Sequence, residues 1–151
     1  MDDAPILICY DGSPAAERAI ETAAELLGAR RAVVLDIAPP ITVSESLATF
    51  SPVVPGGAFE EFNEAEAERV AGRGAELARS SGFDAEGRGA LAGPAWQGIV
   101  EVADELDASV IVIGSRGLSG LREIAKGSLS HEVAEHAGRP VLIVPPPTDE
   151  R

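Results

Sequence analysis

The chain is expected to fold as an α/β protein: an open five-stranded parallel sheet, Rossmann-like, with helices on both faces. Three observations lead there. Strand-length apolar runs alternate with helical periodicities from end to end, and a parallel sheet needs that pattern because each connection must cross a face. The runs Ile6-Leu7-Ile8-Cys9-Tyr10, Ala32-Val33-Val34-Leu35-Asp36-Ile37 and Val110-Ile111-Val112-Ile113 are nearly continuously apolar, as strands buried on both faces are. Finally, 151 residues suffice for one domain with a real core, so residues 1–151 are expected as a single domain.

Residues 6–10 form the first expected strand. Asp11-Gly12-Ser13-Pro14 turns it into a helix, Ser13 suiting the N-cap and Pro14 the first helical position. Ala16, Ile20, Ala23 and Leu27 share one face, and Gly28 stops the helix. The second strand is expected at 32–37. Residues 38–57 hold four prolines and no clear period. A connection that long is either a lid or binding loop at the sheet's carboxyl edge or a plain connector. A polar helix follows from 59 to about 80, acidic at its start and with Arg69, Arg73 and Arg79 later, where the helix dipole favours cations. Its acidic run reads as a solvated face, and Gly72 and Gly74 weaken it.

Residues 84–91 form a third strand, made poor by Gly87 and Gly89 and therefore placed at a sheet edge. Gly93-Pro94 breaks the chain before a helix over 95–106 with Trp96, Ile99, Ala103 and Leu106 on one face. The fourth strand is 110–113. A short helix over 129–137 aligns Leu129, Val133 and Ala137 and ends at Gly138-Arg139-Pro140. Residues 141–144 form the fifth strand, and 145–151 a frayed proline-rich tail.

Composition excludes several function classes. A formal charge of −13 disfavours nucleic acid, whose phosphates need a basic face. The acidic start Met1-Asp2-Asp3 and the lack of any apolar run of membrane-spanning length point to no signal peptide, no membrane and a cytoplasmic location. Cys9 is the single cysteine, so no internal disulfide forms, and in its apolar strand it reads as a small buried hydrophobe.

The chemistry concentrates after the fourth strand. Gly114, Gly117 and Gly127, with Ser128 directly after, lie between a strand's carboxyl end and a helix's amino end. Free backbone N–H groups and the positive end of a helix dipole point outward there, which suits phosphate. Glycine lets the backbone approach a ligand without a Cβ in the way. Arg116, Arg122 and Lys126 stand against Glu123 alone, and Lys126 is the chain's only lysine. A basic island in an acidic protein concentrates anions locally. The turns after strands one and four are both special; sharing one site would make those strands neighbours, with the ligand where strand order reverses.

Gly114-x2-Gly117-x9-Gly127-Ser128 resembles the nucleotide-binding pattern of the universal stress protein family, Gly-x2-Gly-x9-Gly followed by Ser or Thr. The likeness runs on to Arg139-Pro140-Val141-Leu142-Ile143-Val144-Pro145, reaches Tyr10-Asp11-Gly12-Ser13, and is weakest between residues 39 and 93. The resemblance implies the strand order 3-2-1-4-5 and the family's ATP-binding subgroup: a stress-response or regulatory protein that signals by nucleotide occupancy. It implies that the backbone of Gly114, Gly117 and Gly127, the Ser128 hydroxyl and the Leu129 N–H hold the phosphates, with Arg116, Arg122 and Lys126 neutralising charge. Adenine is expected near Ile37 and Ala38. Asp11, in one turn with Gly12, either accepts from the ribose or reaches a phosphate-bound Mg²⁺ through water, or caps the helix with Ser13. The family commonly pairs strand five across a homodimer, and a homodimer through 141–144 is expected here, since that apolar edge is otherwise an aggregation liability.

Other motifs fail on inspection. The run 120–128 lacks a Walker A loop's Gly-Lys-Ser/Thr ending because Ala125 stands where Gly is needed and Gly127 separates Lys126 from Ser128. Gly87-x-Gly89-x3-Gly93 misses the dinucleotide fingerprint by one residue. His131 and His136, five apart, are poorly spaced for zinc, and Ser128 and Ser130 have no His-Asp partners. The related adenylating pyrophosphatases carry Ser-Gly-Gly-x-Asp-Ser after strand one, which Asp11-Gly12-Ser13 does not match. No convincing general base is visible, so binding with slow or no hydrolysis is expected. A nucleotide-independent interaction module and a slow Mg²⁺-dependent ATPase are the alternatives.

Overall fold

The structure, a computed structural model, describes residues 3–39, 58–115 and 129–146. Five strands, β1 (Ile6–Cys9), β2 (Arg31–Ala38), β3 (Asp84–Leu91), β4 (Ile111–Gly114) and β5 (Val141–Val144), alternate there with four helices, α1 (Pro14–Leu27), α2 (Ala58–Ser80), α3 (Ala95–Leu106) and α4 (Leu129–His136). All strand pairs are parallel, in the order β3-β2-β1-β4-β5. The expected class and order are therefore observed. The residues of the tail from 147 and most of the expected lid, 40–57, lie outside the described residues.

Side-chain alternation along the buried strands divides the core in two. Ile6, Ile8, Val34 and Val112 pack with Ala19, Ile20, Ala75 and Ala78 from α1 and α2. Leu7, Val33, Leu35 and Ile111 pack on the opposite face with Ile99, Val102 and Ala103 of α3 and Val133 of α4. Each fully buried Ile or Leu contributes about 1.5–3 kcal/mol relative to exposure, so both faces of β1 are needed to hold the sheet's centre.

The glycines of β3 act differently from the expectation. β3 is a full strand, in unbroken register with β2 from Arg31↔Asp84 to Ala38↔Leu91. Its glycines form the floor on which α2 rests: a Cβ at Gly87 would lie 2.7 Å from the Ala71 carbonyl oxygen, and one at Gly89 would overlap the Glu68 backbone nitrogen. α2 in turn presents a stripe of buried alanines, Ala67, Ala71, Ala75 and Ala78. It stays helical through Gly72 and Gly74, and a Cβ at Gly74 would lie 2.6 Å from the Tyr10 ring. Small residues on both elements allow the close approach that offsets their weak intrinsic propensities.

Strand and helix ends move by one residue at several places. Tyr10 falls just beyond β1, Arg31 and Ala38 extend β2, and Gly114 closes β4 instead of opening the loop. Arg139, at the turn into β5, donates from Nη1 to the Ala108 carbonyl at 2.6 Å and from Nη2 to Asp104. That side chain ties the β5 turn to the end of α3.

Candidate functional site

Strand order reverses between β1 and β4, because the chain proceeds outward through β2 and β3 on one side and through β5 on the other. The carboxyl ends of those two central strands diverge into separate turns, leaving a crevice where ligands of open parallel sheets bind. A cleft enclosing about 470 Å³, part of it open to solvent, lies there. The β1 end supplies Cys9, Tyr10 and Asp11, the β2 end Leu35, Asp36 and Ile37, and the β4 end Ile113 and Gly114. Ala16, Ala95, Ile99 and Leu129 close it from the helices. Small-molecule sites have this character: mostly apolar walls with a few polar groups.

The turn after β1 is built by its own hydrogen bonds. Asp11 Oδ1 accepts from the Ser13 N–H at 2.9 Å, and Ser13 Oγ accepts from the Ala16 N–H at 3.1 Å. Gly12 has φ +86°, a region that side chains disfavour. Asp11 therefore does shape the helix start. An ionised carboxylate has about four acceptor positions, so one such bond leaves it able to accept from a ligand as well. At the β4 end, a Cβ on Gly114 would come within 3.2 Å of the Ala15 carbonyl oxygen, so glycine lets β4 end tightly against α1.

Of the ten site residues expected from sequence, Asp11, Ile37, Gly114 and Leu129 line this one cleft. Gly12 shapes its rim. Ala38 follows Ile37 at the end of β2, and its carbonyl already accepts from the Ala92 N–H at 3.1 Å. Arg116, Gly117, Gly127 and Ser128, with Arg122 and Lys126, lie outside the described residues.

Asp36 is the residue that sequence reasoning missed. It lies within the expected second strand, and a carboxylate inside an apolar run one residue before a site position is a visible signal. Its carboxyl is pushed up to about 7, first by burial, then by the carboxylates of Asp11 and Glu66. The Cys9 thiol on the cleft floor is pushed up to about 12 by burial, Asp11 and Asp36. Cys9 is thus a hydrophobic packing residue, as expected, because the thiolate is the reactive form. Among the described residues lining the cleft there is no cation.

Glu132, Glu135 and His136 on α4 bring ligand-type atoms within 4.8 Å of one another, and none of the three lines the cleft. His136 stacks there on Trp96, with centroids 4.1 Å apart, and its Nδ1 lies 2.9 Å from the Glu132 carbonyl oxygen. No described helix is long and apolar enough to cross a membrane.

Comparison with known proteins gives this arrangement a lineage. Residues 4–145 match the model of the universal stress protein family. Universal stress protein YxiE of Bacillus subtilis is 35% identical over 144 residues, covering 92% of this chain and 97% of the relative. The solved universal stress protein from Archaeoglobus fulgidus superposes with a TM-score of 0.67 at 28% identity, covering 93% of this chain and 97% of that one. A solved structure of the Archaeoglobus fulgidus protein in complex with dAMP superposes at 0.63 with 25% identity, covering 95% and 99%. The glycine pattern, the 3-2-1-4-5 sheet and the match along nearly its whole length agree: this chain belongs to the universal stress protein family.

Proposed function

We propose that the protein binds an adenine nucleotide, ATP, in the cleft between the β1 and β4 ends and signals through its occupancy. One observation carries the reading. Gly114, which opens the Gly114-x2-Gly117-x9-Gly127-Ser128 pattern, forms one wall of the cleft whose other walls are Asp11 and Ile37. The relative in complex with dAMP supports an adenine nucleotide as the ligand class. The backbone of Gly114, Gly117 and Gly127, the Ser128 hydroxyl and the Leu129 N–H hold the phosphates. Arg116 balances their charge, and a Mg²⁺ ion travels with them. Asp11 and Gly12 face the sugar, and Ile37 and Ala38 the base. The protein is read as a cytoplasmic homodimer, joined along β5.

The residues present fit such a ligand. The cleft walls are apolar where a base would lie, and Asp11 retains acceptor capacity for ribose hydroxyls. Slow or no hydrolysis is part of the proposal; a Mg²⁺-dependent product that disappears in Asp11→Ala would favour the ATPase reading.

The test is Gly117→Val combined with Gly127→Val. Saturating ATP at about 100 times its Kd stabilises a binding protein by about 2.7 kcal/mol, a rise of roughly 5–10 °C in Tm for a chain of this size. Wild type shows that rise, and the double variant folds but shows none. Equal affinity in both proteins removes the proposal.

A further inference from the structure

Gly98 lies inside α3, where glycine weakens a helix and no turn requires it. Its φ is not among the positive values, so its backbone suits alanine as well. Space is what excludes a side chain. A Cβ there would lie 2.5 Å from the Ala92 Cβ and 3.1 Å from the Ile37 Cδ1. Gly72, also inside a helix, has nothing within 4 Å of its Cβ position, so this crowding belongs to the place and not to helical glycines in general. No side-chain rotation relieves the contact with Ala92, because both Cβ atoms are fixed to the backbone. The Ile37 δ-methyl, at the end of a flexible side chain, relieves its contact only by moving.

Both neighbours belong to the end of the cleft assigned to the base. Ile37 lines the cleft together with Ala95 and Ile99, which flank Gly98 on α3. Strand alternation puts Leu35 and Ile37 on the sheet face that α3 covers, and both pack there in one cluster with Ile99. Ala92 is bonded to the same strand end, its N–H donating to the Ala38 carbonyl at 3.1 Å. The missing Cβ therefore lets the first turn of α3 close on the β2 and β3 ends and lets the tip of Ile37 seat against the helix.

We propose that Gly98 is the positioning residue that sets the base specificity of the cleft, holding Ile37, Ala95 and Ile99 as one apolar wall against which a purine ring packs. The inference rests on the nucleotide reading above. A purine covers more of such a wall than a pyrimidine does, so the wall favours ATP over CTP, whose ribose and triphosphate are identical. Gly98→Ala forces the α3 turn away from Ala92 and displaces the tip of Ile37. ATP then binds about tenfold more weakly, CTP loses less, and the ATP-to-CTP ratio narrows. Ala92→Gly removes the methyl closest to Gly98. The double variant Gly98→Ala with Ala92→Gly carries that methyl on the helix instead of the turn, and its ATP affinity returns to within about threefold of wild type.

Calorimetric titration of ATP and CTP into the full chain tests this, after thermal unfolding has established that each variant is folded. Should Gly98→Ala not fold, Ile37→Val trims the same wall without crowding and is expected to narrow the ratio in its place. Unchanged ATP affinity in Gly98→Ala, or equal losses for ATP and CTP, overturns the base-positioning role while nucleotide binding stands. A double variant that binds ATP as weakly as Gly98→Ala overturns the contact with Ala92 as the cause. Wild type binding ATP and CTP equally tightly overturns the purine wall. Wild type binding neither overturns the nucleotide reading and this inference together.

Discussion

At the scale of single residues, Asp36 illustrates how a site opposes the fold that carries it. Burial raises its proton affinity from the ordinary 3.8 to about 7. The folded state thus holds a proton that the unfolded chain releases across that interval. Stability falls as pH rises from about the unfolded value through 7, and above 7 the ionised group destabilises the native state fully. Asp36→Asn removes the ionisation, so its Tm should exceed wild type at pH 8 and the gain should shrink toward pH 5. Thermal unfolding across that range checks this, and a pH-independent difference would contradict it. Residue-level reading from sequence reached Asp11 and Gly114 because turn chemistry and glycine spacing are local signals. It missed Asp36, although a carboxylate in an apolar run is a visible signal, because the run alone does not say that neighbouring strand ends form a crevice beside it.

At the scale of elements, the contrast between two kinds of glycine is informative. Gly89 lies where a Cβ would overlap the backbone of α2, whereas a Cβ at Gly72 would meet nothing within 4 Å. Gly89→Ala should therefore destabilise by about 1–3 kcal/mol through overpacking. Gly72→Ala should stabilise by roughly 0.5–1 kcal/mol, through helix propensity and lower unfolded-state entropy. Denaturant titration measures both; opposite signs are the expected result, and equal losses would mean that α2 does not rest on β3 as described. From sequence alone these glycines read as weakeners, since propensity is local. That Gly87 and Gly89 are required, and Gly72 is not, is a property of two elements in contact, which meet at residues far apart in the chain. Helix α1 was legible by contrast because its N-cap Ser13, Pro14 and C-cap Gly28 all sit within its own segment.

At the scale of the whole molecule, alternation of elements made the parallel sheet legible, and the shared site and family likeness supplied its order. What β5 meets was not legible from alternation, since an edge strand is defined by what lies outside the chain. The Ile111 N–H bonds the Pro140 carbonyl and the Ser115 N–H the Val144 carbonyl. Alternation along β5 then turns the backbone polar groups of Val141 and Ile143 away from β4, toward the sheet's open edge. Ile143 is also 39% exposed, large for an apolar side chain in a sheet. If the proposed dimer pairs along this edge, Ile143→Pro removes one outward N–H, and an edge position tolerates proline. Light scattering should show wild type as a dimer and the variant shifted to monomer; an unchanged dimer would place the interface elsewhere.

The central claim is that the cleft between β1 and β4 holds an adenine nucleotide. The most direct measurement is to denature freshly purified protein and resolve the released small molecules by ion exchange against nucleotide standards. The account predicts ATP at close to one per chain, or an empty protein that takes up one ATP when it is added. A protein that releases no nucleotide and gives no binding heat with added ATP would contradict it.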